Sequence, residues 1–223
     1  MCGRFSLYTP PEVIREKFEL VEYPPLRSSY NVAPSQDVAA ILNTEPDKAV
    51  AVKWGIVPHW AKEDSKAKPL INARAETLAE KRTFAPLLEK TRCVIPADGF
   101  YEWKATDEGK QPYRIEYKKG LFGFAGLWNE WQKEEGGPVH RFCAIITCAP
   151  NKVVHEIHDR MPVILDPSQK MDWLEKGDTS LLKPLADKLT DAWPVSKAVN
   201  SPGNNRPEIM NRFESKSGQS TLF

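Results

Sequence analysis

The chain has 223 residues, 41% of them hydrophobic and 27% charged, with 31 Lys and Arg against 30 Asp and Glu for a formal net charge of +1. That length buries a sizeable core as one generous domain or two small ones, and the near-zero balance excludes a protein that draws in nucleic acid through a global basic field. No apolar run approaches the roughly 18 residues of a membrane span, and the start lacks the basic-then-apolar pattern of a secretory signal, so a cytoplasmic protein with no membrane partner is expected.

In chain order, Thr9-Pro10-Pro11 starts a helix whose apolar face carries Val13, Ile14 and Phe18. Pro24 and Pro25 break the chain, and Tyr30 to Pro34 (YNVAP) reads as irregular. Val38 to Leu42 and Ala49 to Val57 form a hairpin around TEPD, followed by a charged loop from Ala61 to Lys68. Thr77 to Glu89 reads as helix, limited by Pro86. Strand-like runs then dominate: Arg92 to Ile95, Gly99 to Lys104, Tyr113 to Tyr117, Leu121 to Trp128 and Arg141 to Thr147, with a turn at Lys118-Lys119-Gly120.

Asn151 to Ile157 predicts a short helix and Met161 to Leu165 another strand. Asp166-Pro167 is a good cap and first position for a helix through Leu174. A helix over Leu181 to Leu189 and a strand over Trp193 to Val199 complete the elements. Short strands with helices in no regular alternation predict an α+β fold. No Gly-rich linker divides the chain, so residues 1–212 read as one domain and 213–223 as a loose polar tail.

The four cysteines (Cys2, Cys93, Cys143, Cys148) have no CxxC spacing, so neither a disulfide framework nor a metal site is expected. Three of them read as small buried hydrophobes. Cys2 is different. Once Met1 is removed, it carries a free α-amine and a thiol on neighbouring carbons. The amine of a chain terminus has a pKa of about 7.7–8.0, so part of it is neutral at pH 7 and attacks an aldehyde. The thiol then adds to the same carbon and closes a five-membered thiazolidine ring. The bland alternative is an idle thiol at a frayed end.

Three further segments place polar residues among apolar ones. PLINARAET sets Asn72, Arg74 and Glu76 at period 2, on one face of an extended segment. ADGFYEWK sets Glu102 between aromatics, where lost hydration raises a carboxyl pKa and suits it to general acid work. EIHDRMP sets His158 before an apolar strand, and histidine is the proton carrier of neutral pH. Each has a structural alternative: Asn72 and Arg74 satisfying backbone groups, Glu102 paired on a solvated face, His158 a satisfied structural histidine. His59, His140 and His155 read as structural, and the tryptophans as core, except Trp60, which abuts the charged loop and is placed to stack on a base.

MCGRF, YNVAP, WGIVPHW, INARAET, ADGFYEW, IHDRMP and VSKAVN follow one another in this order. Together they resemble the SRAP family (SOS-response-associated peptidase) of abasic-site-processing proteins, from residue 1 to about Arg206. The resemblance implies a single domain whose bifurcated, mostly antiparallel sheet curls into a pseudo-barrel flanked by short helices. It implies a protein that binds single-stranded DNA carrying an abasic site and links its N-terminal cysteine to the sugar aldehyde as a thiazolidine; apart from the resemblance, a monomer is expected, and no motif for a metal or organic cofactor is present. Autopeptidase removal of Met1 and a lyase activity come with the family.

Carried onto this sequence, Cys2 is the nucleophile and Asn72 orients its amine and the sugar. Glu102 is the general acid/base that opens the deoxyribose, and His158 assists proton transfer. Arg4, Arg74 and Arg82 are expected at phosphates, Asn31 and Thr147 as neutral hydrogen-bonding contacts, and Trp60 as a wedge against a base. Two rivals stand beside this reading. One is a thiol peptidase using Cys2, His158 and Asn72 on other proteins. The other is a non-covalent single-stranded DNA-binding module.

Overall fold

The computed structural model describes residues 2–57, 68–132 and 136–213. In chain order the elements are β1 (Phe5–Leu7), α1 (Pro11–Phe18), β2 (Ser29–Val32), β3 (Asp37–Leu42), β4 (Ala49–Trp54), β5 (Asn72–Arg74), α2 (Ala85–Lys90), β6 (Arg92–Ala97), β7 (Gly99–Thr106) and β8 (Gly109–Tyr117). Then follow β9 (Phe122–Gln132), β10 (Val139–Cys148), α3 (Lys152–His155), β11 (Met161–Pro162), β12 (Ile164–Leu165), α4 (Lys170–Leu174) and β13 (Thr190–Pro194).

Two sheets organise the molecule. In the first, β10, β4, β3, β6 and β9 pair in turn, and β9 returns to pair with β10, closing a five-stranded barrel. The β10–β4 pairing is parallel and the others around the ring are antiparallel. Strand β5 lies parallel along the far end of β10, with Asn72 opposite Ile145 and Arg74 opposite Thr147. The second sheet is antiparallel in the order β13-β8-β7-β1-β2. Strand β6 runs into β7 with only Asp98 between them, so one continuous stretch passes from barrel to second sheet. Asp98 fixes that corner by accepting hydrogen bonds from the backbone N–H groups of Tyr8 and Thr9 and from the Thr9 hydroxyl.

The inner face of the second sheet closes one side of the barrel. Phe5 of β1 meets Trp54 of β4 edge-on at 5.2 Å between ring centroids and Phe124 of β9 at 5.5 Å. These T-shaped contacts add to the area buried, because they set ring edges against ring faces. Gly123 is required here: a Cβ built on it would lie 2.3 Å from Val94 Cγ1, so β9 crosses β6 too closely for any side chain. A smaller cluster of Tyr101, Val195, Val199 and Ile209 covers the outer face of the second sheet. Among the described residues no helix is long and apolar enough to cross a membrane.

The α+β reading and the curled, bifurcated sheet agree with this architecture, as do the β3–β4 hairpin, the strands from β6 to β10 and the Asp166 cap. Asp166 forms a capping box with Gln169 ahead of α4. Several elements differ. YNVAP is not irregular: its first half lies in β2, because pairing with β1 overrides the local sequence. Helix over 77–89 shrinks to α2, since Pro86 belongs in a first turn and so begins the helix instead of limiting it. Over 181–189 the chain makes two separate 3₁₀ turns, Thr179–Leu181 and Asp187–Leu189, with Pro184 between them. The last strand begins earlier and ends at Pro194, after which Ser196 caps a 3₁₀ turn, Lys197–Asn200. Most of the 61–68 loop and nearly all of the tail lie outside the described residues.

Arg92 ties the helices to the barrel. Its guanidinium donates to the carbonyls of Leu88 and Glu89 at the end of α2 and to those of Trp173, Leu174 and Glu175 at the end of α4. These are the carbonyls a helix terminus leaves without partners, and a cation there also meets the negative end of each helix dipole. Gly177, at φ +61°, turns the chain away after α4 and passes 3.2 Å from the guanidinium as measured from a built Cβ. Arg92→Met strands these carbonyls, and is expected to lower unfolding free energy by about 3 kcal/mol. Urea denaturation measures it; an unchanged midpoint would contradict the brace.

Candidate active site

Strand β1 places the N-terminal residues between the two sheets. Its pairing with β7 continues to Arg4, whose carbonyl accepts from the Tyr101 N–H at 2.9 Å, so residues 2 to 4 run beside Glu102. Cys2 is fully buried. Asn72, on β5, donates from Nδ2 to the Cys2 carbonyl at 2.8 Å. Its Oδ1 is buried without a hydrogen-bond partner among the described residues, an acceptor held ready beside Cys2.

Burial pushes the Cys2 thiol well above its ordinary range, and the nearby Glu102 carboxylate raises it further. The sulfur is therefore a thiol at neutral pH, and reaction at it needs a base. Glu102, with a side chain 2% exposed, lies close by. Burial, with a contribution from the Asp159 carboxylate, raises Glu102 from 4.5 to about 7. A carboxyl poised there gives and takes protons with equal ease at neutral pH.

His158 follows α3, which Asn151 caps by accepting the Val154 N–H at 2.9 Å. Its Nε2 is 3.9 Å from Glu102 Oε2. Its Nδ1 accepts the Arg160 N–H at 3.0 Å, which puts the proton of the neutral ring on Nε2, facing Glu102. Asp159 Oδ1 also comes within 2.9 Å of Nδ1, a contact that is favourable only when Nδ1 carries a proton. The backbone bond defines the neutral form, because the direction of an N–H cannot be reversed. Burial lowers the His158 pKa, so the neutral ring dominates at pH 7. Glu102 and His158 open with Trp103, Lys110 and Asn200 onto a cleft of about 390 Å³. A larger cleft of about 520 Å³ lies elsewhere, around Tyr117, Asp166 and Lys170, and is lined by none of the four residues expected to do chemistry.

The four residues expected to do chemistry thus converge. The expected DNA contacts divide. Arg74 and Arg82 are exposed, Arg74 on the same strand as Asn72. Arg4 is partly buried, and its Nη1 donates to Asn31 Oδ1 and the Val199 carbonyl. Asn31 departs from expectation. It is 1% exposed and its Nδ2 donates to Val199, Ser201 and Asn204, so it braces the 195–213 strap. Thr147 is fully buried on β10 and bonds internally as well. Both looked available because a buried polar group and a surface one read alike in sequence. Trp60 lies outside the described residues. Trp103, Lys110, Asn200 and Arg160 also shape the site, and Trp103, Asn200 and Arg160 stand in the ADGFYEWK, VSKAVN and EIHDRMP segments.

Glu102 leaves a stability signature. Its folded pKa lies above its unfolded one, so stability is whole below about pH 4.5 and is lost as pH rises towards 7. Glu102→Gln removes that loss. The variant is expected to match the wild type near pH 4 and to exceed it by up to about 3 kcal/mol at pH 8, read from urea midpoints. A difference that does not vary with pH would contradict the assigned burial of the charge.

The family model described as SOS response associated peptidase (SRAP) matches residues 1–202. An abasic site processing protein of Bacillus subtilis, YoqW, is 44% identical over 94% of this chain and 99% of its own length. A vertebrate counterpart from Gallus gallus, HMCES, is 32% identical over 94% of this chain and 77% of its own. A crystal structure of a protein from Bacteroides thetaiotaomicron superposes with a TM-score of 0.86 at 27% identity, covering 96% of this chain and all of that one. With a buried cysteine at position 2, gripped by Asn72 and flanked by Glu102 and His158, the chain belongs to the SRAP family.

Proposed function

We propose that this chain processes abasic sites in single-stranded DNA by capturing them as a covalent thiazolidine through Cys2. The observation that carries the reading is the placement of a buried thiol at the second residue, beside a carboxyl that titrates near 7. The names of the relatives, abasic site processing proteins, supply the substrate.

Removal of Met1 comes first, because an amide nitrogen forms no imine. The family description as a peptidase fits a chain that cleaves this one bond itself. An abasic deoxyribose is mostly a closed hemiacetal. Glu102 as carboxylate takes the C1 hydroxyl proton and returns it to the ring oxygen as the bond from C1 to that oxygen breaks, and the sugar opens to its aldehyde. The Cys2 amine attacks the aldehyde carbon, and loss of water gives an imine. The thiol sulfur adds to that carbon, its proton passes through Glu102 to the imine nitrogen, and the ring closes. One amine, one thiol and one aldehyde give one thiazolidine and one water. Closure also removes the imine, whose persistence would acidify the neighbouring C–H and promote strand cleavage.

Arg74, Arg82 and the part of the Arg4 guanidinium not bonded to Asn31 and Val199 hold phosphates in this reading, which gives backbone binding without base preference. An abasic sugar has no pairing to break, so entering the site costs less than flipping a normal base. Peptide hydrolysis in trans fits less well, since the thiol is fully buried and burial holds its pKa well above the ordinary range.

A processed chain is expected to give a heat-stable band with a single-stranded oligonucleotide holding one abasic site. Cys2→Ala abolishes that band while leaving an amine that borohydride traps as an imine adduct. A heat-stable band from Cys2→Ala would overturn the proposal. Capture is expected to be fastest near pH 7, where Glu102 is half ionised, and Glu102→Gln to slow it about 100-fold. Single-turnover gels between pH 5 and 9 measure both, and a flat profile in the wild type would remove Glu102 from the reaction.

A further inference from the structure

Glu76 and Arg160 lie outside the chemistry just described, yet they connect the two segments that carry Asn72 and His158. Glu76 sits in the 3₁₀ turn Ala75–Thr77 that follows β5 directly. Arg160 lies two residues after His158 and just ahead of β11. The Arg160 guanidinium meets the Glu76 carboxylate fork to fork: Nη1 donates to Oε1 and Nη2 to Oε2, both at 2.8 Å. Nη2 also donates to the Thr147 carbonyl at 2.7 Å and reaches the Thr147 hydroxyl at 3.3 Å. Thr147 stands opposite Arg74 in the β5–β10 pairing, so one guanidinium spans the turn after β5, strand β10 and the His158 loop.

The geometry points to Glu76 as a positioning residue: through Arg160 it fixes the loop whose backbone N–H holds His158 in register with Glu102. This rests on the function proposed above and extends it to a residue that touches neither the thiol nor the sugar. A fork-to-fork pair constrains both distance and plane, which a single hydrogen bond does not. The Arg160 side chain is 14% exposed, so solvent screens the pair less than a surface one, although Glu76 itself is half exposed. The consequence for His158 is specific. The Arg160 N–H is the partner of Nδ1, and it lies on the same residue whose side chain Glu76 clamps. Movement of that residue changes which ring nitrogen carries the proton and how far Nε2 stands from the 2%-exposed Glu102 carboxyl. Around the ring stand Glu102 from β7, Asp159 and Arg160 from its own loop and Lys110 from β8. Among these anchors Arg160 is tied across to the turn that directly follows the strand bearing Asn72.

Position and charge separate cleanly at Glu76. Removing a carboxylate two residues from the exposed Arg74 cannot weaken attraction for phosphate. A loss of capture at Glu76 with undiminished DNA binding therefore reports alignment. Three measurements are made on processed full-length protein carrying Glu76→Ala or Glu76→Gln: single-turnover capture of an abasic oligonucleotide, non-covalent affinity for the intact oligonucleotide, and NMR titration of the His158 ring. Capture is expected to slow about 10-fold in Glu76→Ala and less in Glu76→Gln, whose amide oxygen still accepts one bond. Affinity for intact DNA is expected to hold or rise. The His158 titration midpoint is expected to move up towards its ordinary value in Glu76→Ala as the ring loosens into solvent. Unchanged capture and an unchanged His158 titration would overturn the inference, and so would a capture loss matched by an equal loss of intact-DNA affinity. If the wild type captures nothing, the proposed function fails, and the His158 titration alone still decides whether Glu76 positions the ring.

Discussion

The hydrogen bond from Asn72 Nδ2 to the Cys2 carbonyl is the contact around which the rest of the site is arranged. A chain end costs about 1–2 kcal/mol per residue to hold in one conformation, and ends are ordinarily left loose for that reason. Here the end is sewn in from both sides. Strand β1, although three residues long, pairs with β2 and β7 and drives Phe5 into the barrel against Trp54 and Phe124. Strand β5 comes from the other sheet, pinned along β10, and delivers Asn72. The Cys2 backbone is thus held at the junction of the two sheets, and an acceptor, Asn72 Oδ1, remains beside it.

That arrangement trades stability for reactivity. A carboxyl placed where burial raises its pKa to about 7 costs folding free energy at every pH above its unfolded value. A thiol pushed upward in the same place is unreactive until a base accepts its proton. Together they form a resting site in which the sulfur stays a thiol while the carboxyl is poised between its two forms near pH 7. Compensation comes from parts of the molecule remote from the chemistry: the aromatic core, the Asp98 corner and the Arg92 grip on two helix ends. His158 belongs to the balance as well. It is neutral at rest, and its Nε2 proton faces the carboxyl that must change charge during the reaction.

Much of the site was legible in the sequence because its chemistry is local. A cysteine behind the initiator methionine has a distinctive pair of nucleophiles, and a carboxylate flanked by aromatics predicts lost hydration. The order of seven short motifs then supplied the assembly that no single segment contains. The strands from Arg92 to Cys148 were legible for the same reason, since they carry apolar runs, as in RCVIPA and FGFAGLW, or apolar–polar alternation, as in YRIEY. What escaped depended on contacts distant in sequence. Ser29–Val32 is a strand only because β1 lies beside it, and Asn31 is a brace because carbonyls about 170 residues away converge on its amide. The clamp between Glu76 and Arg160 joins residues 84 apart in sequence. Proline acts in two ways here: Pro86 starts α2 where it was expected to limit a helix, and Pro184 divides the helix expected over 181–189 into two short turns.

The central claim is that the bond to DNA forms at residue 2 and needs its free amine. Mass spectrometry of the product, made with a chain starting at Cys2 and, in parallel, with one that uniformly retains Met1, tests it most directly. The account predicts an adduct on the N-terminal peptide of the first chain, lighter by one water than the sum of its parts, and no adduct on the second. An adduct on another peptide, or an equal yield from the chain retaining Met1, would contradict it.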